Sequence, residues 1–89
     1  NRLKRTRYVA PEYPERALAR GQEGSVVVEF IVDVNGQTRD VRVVSSDPPE
    51  VFDRAAVNAV RRWRYEPVIE NGVPIEVPAR MVINFKVPD

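Results

Sequence analysis

The chain has 89 residues, 43% hydrophobic and 30% charged, with 14 Lys and Arg against 13 Asp and Glu. Such a composition suits one globular domain with a small core, and a net charge of +1 lacks the segregated excess of a dedicated nucleic-acid module. With no Cys and no His, disulfides and thiolate chemistry are excluded, as are the usual general base and the commonest metal ligand.

Residues 1–10 carry Arg2, Lys4, Arg5 and Arg7 and read as the end of a basic linker or an arm, either solvated or in electrostatic contact with an anionic partner. Residues 11–89 read as the domain proper. Asn1 rather than Met comes first, so the chain reads as a piece of something longer. No apolar run approaches the ~18–20 residues that a membrane span requires.

Residues 11–21 predict a short helix, with Pro14 suited to its first position and Gly21 to its end. Residues 25–34 predict a long strand: Val26, Val28, Phe30, Val32 and Val34 make one uniformly apolar face. Asn35-Gly36 then predicts a tight hairpin, because both residues tolerate positive φ, and a return strand follows over residues 38–45. Asp33-Val34-Asn35-Gly36 matches only a fragment of a calcium loop, without the closing Glu, and belongs to that hairpin.

Asp47-Pro48-Pro49-Glu50 predicts the start of a second helix, capped by Asp47. Phe52, Ala55, Ala56, Ala59, Val60 and Trp63 then form one apolar stripe at helical spacing. On this pattern Arg61, Arg62 and Arg64 lie off the stripe, where cations offset the negative helix end. Their mixture with Trp63 and Tyr65 resembles a nucleic-acid tract, but the stripe makes Trp63 a core residue. Asn71-Gly72 predicts a second tight turn, and residues 79–87 a last strand bracketed by Pro78 and Pro88. Met81, Ile83, Phe85 and Val87 share one face of it.

The order helix, strand, strand, helix, strand gives an α+β two-layer fold: a three-stranded antiparallel sheet with two helices packed on one face. The first long strand belongs in the middle and the last strand at an edge. No catalytic constellation emerges. Ser45 and Ser46 have no base, and Asp47, Glu50 and Asp53 suit the start of a helix better than an acid–base or metal site. No cofactor is expected. What remains is the edge strand, whose middle carries neither Pro nor Lys. Either its flanking charges suffice as protection, or the edge is kept open for an extended peptide to add a strand.

The stretches "YPERA" (residues 13–17), "SVVVEFIVDVNG" after Gly24, "VRVVSS" and "FDRAAVNAVRRWRYEP" resemble the TonB C-terminal domain family, over residues 11–87. The resemblance implies a periplasmic, non-enzymatic domain on an inner-membrane anchor and spacer outside this chain, the anchor working with ExbB and ExbD. It implies capture of the "TonB box" of outer-membrane transporters as an added strand, and force transmission for siderophore-iron or cobalamin uptake. Nucleic acid is not an implied partner. A TolA-like interaction domain is the alternative. The family's peptide-pairing strand maps onto Arg80, Met81, Val82, Ile83, Asn84, Phe85, Lys86 and Val87. The segment before the first helix maps onto Ala10, Pro11, Glu12 and Tyr13, and a partner-contacting arginine onto Arg16. Ala10 stands where the enterobacterial form carries a polar, partner-contacting Gln, a departure that touches that one contact and not the function. An open edge also makes a homodimer possible.

Overall fold

The computed structural model describes residues 3–88. Asn1, Arg2 and Asp89 lie outside the described residues. In chain order the elements are β1 (Arg5–Arg7), α1 (Glu15–Ala19), β2 (Gly24–Val32), β3 (Thr38–Asp47), α2 (Asp53–Val60), β4 (Arg64–Tyr65), β5 (Val68–Glu70), β6 (Val73–Ile75) and β7 (Val77–Phe85). The main sheet is antiparallel with the order β3-β2-β7, so the expected α+β architecture holds and the long strand is central. Of two further two-stranded sheets, β5-β6 forms around the expected Asn71-Gly72 turn, while β1-β4 was not expected.

The core follows from the alternation in β2. Val26, Val28, Phe30 and Val32 are all buried, and they meet Ala17 of α1 and Ala56 and Val60 of α2 on one face. Phe52 and Trp63, just outside the two ends of α2, are its large anchors, 0% and 1% exposed. Small alanines between them let the helix lie close to the sheet, and each anchor contributes about 3 kcal/mol by burial.

Four local expectations are corrected. Pro14 precedes α1 in extended backbone (ψ 132°) instead of occupying its first turn. Asp47 does not cap α2. It ends β3, opposite Ser25, and α2 begins only at Asp53, with no side-chain cap. The extension is built into Gly24, where a Cβ would lie 2.4 Å from the Asp47 carbonyl oxygen and 2.8 Å from the Phe52 ring.

The two Asn-Gly pairs also make different turns. Asn71 (φ 53°) and Gly72 (φ 79°) form the tight turn between β5 and β6. At Asn35-Gly36 only Gly36 has positive φ (80°). There the Asp33 carboxylate accepts from the Asn35 and Gln37 amides, each at 2.9 Å, and the Gly36 amide donates to the Asp33 carbonyl. That side chain favours a longer loop. Finally, Pro78 lies within β7, opposite Ile31, not before it. An edge strand tolerates it because a missing N–H need not face the sheet.

The arm folds onto the domain. β1 pairs with β4, and β4 in turn meets the hairpin tip, with the Tyr65 amide donating to the Gly36 carbonyl at 2.8 Å and Gln37 bridging to Arg64. The Trp63 indole N–H donates to the Val9 carbonyl at 2.8 Å, and the Arg5 guanidinium lies 4.6 Å from the ring centroids of both Tyr8 and Trp63. Arg64 donates to the carbonyls of Arg61 and Trp63, and Thr38 to that of Val60. These donors add to the backbone bonds that close the helix end, where the Val60 carbonyl also accepts from the Trp63 amide.

Candidate functional site: the outer edge of the last strand

β7 pairs with β2 over nine unbroken residue pairs, from Gly24–Phe85 to Val32–Val77. Among the described residues nothing pairs with its other side. On that side the N–H and C=O groups of alternate residues face outward, the arrangement that accepts another strand. Ile83 and Phe85 are buried and Met81 half-buried, while Arg80, Val82 and Asn84 are exposed on the opposite face. Lys86 and Val87 lie just beyond the end of the strand.

The sheet has a second edge, β3, and the two are not equivalent. The pairing of β3 with β2 shifts between Val27 and Val28 and again between Glu29 and Ile31, with Asp40 in left-handed backbone (φ 53°) at the second shift. Such bulges twist an edge away from further pairing. The edge of β7 has none.

Three contacts fix this regular edge. On the open face, Glu29 of β2 takes Arg42 of β3 (2.8 Å) and Arg80 of β7 (Nε at 3.0 Å) in one ladder across the sheet. Hydrogen bonds from Arg80 first, then Arg42, hold the Glu29 carboxyl below its ordinary value. At the far end the Glu23 carboxylate accepts from the Val87 amide at 2.8 Å. On the core face, Phe85 stacks on Phe52 at 4.5 Å between centroids, and Tyr13 meets both rings edge-on at 5.8 and 5.6 Å. The Tyr13 hydroxyl donates to the Gln22 carbonyl, and burial, then Glu23, raises its pKa.

Tyr13 thus brings the segment before α1 against the end of β7. Ala10 and Glu12 are exposed, and with Tyr13 they border a groove of about 500 Å³ against α2, lined on the helix side by Arg54, Asn58 and Arg62. Arg16 stands apart. It is exposed on α1 beside Arg20, Gln22 and Glu50, and no hydrogen bond or ion pair joins it to β7 among the described residues. Sequence reasoning missed Glu29 and Glu23. Neither has a signal without the strand register.

Residues 9–87 match the family model described as "Gram-negative bacterial TonB protein C-terminal". The chain belongs to the TonB C-terminal family. It is 36% identical to Protein TonB of Pseudomonas aeruginosa over 85 residues, covering 96% of this chain and 25% of that protein. It is 47% identical to Protein TonB of Escherichia coli over 57 residues, covering 64% and 24%. The chain therefore spans about a quarter of the length of these relatives. The solution structure of the Pseudomonas aeruginosa TonB C-terminal domain superposes with a TM-score of 0.85 at 35% identity, covering all of this chain and 90% of that one. The TonB2 protein of Vibrio anguillarum gives 0.73 at 37%, covering 97% and 82%. TonB-type energy transduction is a non-enzymatic role, and the family model that matches is that of TonB. No described helix is long and apolar enough to cross a membrane.

Proposed function

We propose that this domain captures the TonB box of outer-membrane transporters as a strand added to the outer edge of β7, along residues 80–87. The segment 10–13 would flank the bound peptide, and Arg16 would contact the transporter body. The observation that carries this reading is the contrast between the two edges: β3 is bulged and β7 runs nine residues without a shift. Backbone pairing reads little side-chain identity, so one domain can serve several transporters. A pull along a paired strand loads several hydrogen bonds together. In the whole protein, an inner-membrane anchor working with ExbB and ExbD would supply that pull from the proton gradient. The transporter would then admit siderophore-iron or cobalamin. The same edge would also serve pairing between two copies.

The chain has no Cys, so single cysteines report cleanly. Asn84→Cys, on β7, is expected to form a disulfide with a cysteine-bearing TonB-box peptide. Ser45→Cys, exposed on β3, is expected not to. Equal cross-linking at both positions would contradict the edge assignment.

A further inference from the structure

Folding brings together two basic stretches that lie more than half the chain apart. Residues 4–7 and 61–66 hold six of the 14 Lys and Arg and one of the 13 Asp and Glu, which leaves eight cations against twelve anions elsewhere. The β1-β4 pairing makes them neighbours. A near-neutral domain therefore concentrates its excess of positive charge around the β1-β4 pairing.

That pairing also breaks a local rule. Arg7 sits directly opposite Arg64, and like charges at such positions destabilise a strand pair. Broken local rules concentrate where function requires them. Arg5 is held by Tyr8 and Trp63, and Arg64 by helix-end carbonyls. Among the described residues Lys4 reaches only Glu66, at 3.8 Å, with both side chains exposed. Arg7, Arg61 and Arg62 are exposed and make no ion pair or side-chain hydrogen bond among the described residues. In their midst Tyr8 is 56% exposed.

We propose that this part of the domain, built from Lys4, Arg7, Arg61, Arg62 and Tyr8, docks on a membrane surface of anionic phospholipid. Clustered Lys and Arg attract such a surface, and an amphipathic ring settles at headgroup level. The ligand is a lipid surface rather than single-stranded nucleic acid because only one aromatic is presented: Trp63 is buried, and a stacking channel needs several. A flat polyanion also fits better than an acidic peptide. The groove between the segment before α1 and α2 is lined by Arg62 but not by Lys4, Arg7 or Arg61. The acidic remainder of the domain would turn away from the membrane, which sets orientation as well as affinity. This inference is independent of peptide capture at β7.

The test is co-sedimentation of the 89-residue chain with phosphatidylcholine vesicles, with and without about one third phosphatidylglycerol. Binding is expected only to the anionic vesicles and is expected to fall steeply with added salt. The R61E/R62E variant, and separately R7E, are expected to bind about tenfold more weakly or worse. R20E, an exposed charge reversal elsewhere, is expected to bind as the parent does. Thermal melting of each variant confirms folding, and R7E alone decides if the double variant melts early. Absence of binding to anionic vesicles, equal loss with R20E, or tighter retention on a single-stranded oligonucleotide than on the vesicles would overturn the proposal.

Discussion

Trp63 joins three parts of the molecule. Its ring is buried against Phe30, its N–H holds the Val9 carbonyl, and its face carries Arg5. Trp63→Ala is expected to cost about 3–5 kcal/mol, read as a lower denaturant midpoint, with peptide binding lost only as a consequence. Arg5→Ala removes the stacked cation and its interaction with the Tyr65 hydroxyl, and is expected to cost about 1 kcal/mol. Gly36 is equally constrained. Its φ is 80°, and a Cβ there would lie 2.0 Å from the Tyr65 carbonyl oxygen. Gly36→Ala is therefore expected to destabilise by at least about 2 kcal/mol.

Glu29 adds a pH dependence. Because its folded pKa lies below the ordinary 4.5, its pairing with Arg80 and Arg42 stabilises the fold above that value. The contribution is lost as pH falls through the lowered pKa. Urea midpoints between about pH 6 and about pH 3 are expected to drop more steeply for the parent than for Glu29→Gln.

At the scale of elements, legibility followed periodicity. β2 reads directly because its alternation is unbroken, and the stripe from Phe52 to Trp63 reads directly because Ala55, Ala56, Ala59 and Val60 share one face of α2 and the two large residues flank it. β3 is harder. Its core-facing residues Thr38, Val41, Val43 and Ser46 are not spaced by two, since each bulge inserts a residue. Asp47 carries the signature of a helix cap, yet tertiary pairing with Ser25 keeps it in the sheet. β1 is invisible to pattern reasoning: Arg-Thr-Arg has no apolar face, and its stability comes from β4 and the Trp63 contacts. The edge at β7 was readable as a last strand, but its advantage over β3 was not, because bulges depend on pairing that a single sequence does not display.

At the scale of the whole molecule, an upstream pull would enter through the arm and reach Trp63 and β4 before α1, while a captured strand would load β7 through β2. The two loads meet in β2, whose Phe30 packs on Trp63 and Tyr65 and whose backbone pairs with β7 along its full length. A central strand tied on both sides would suit the proposed transmission of force. The claim on which this account rests is capture at the outer edge of β7, and the most direct measurement is a titration of isotope-labelled domain with a TonB-box peptide, following backbone amide signals. Shifts are expected to concentrate on residues 80–87, with a second group at residues 10–13. Shifts concentrated on β3 or the arm, or none at about millimolar peptide, would contradict it.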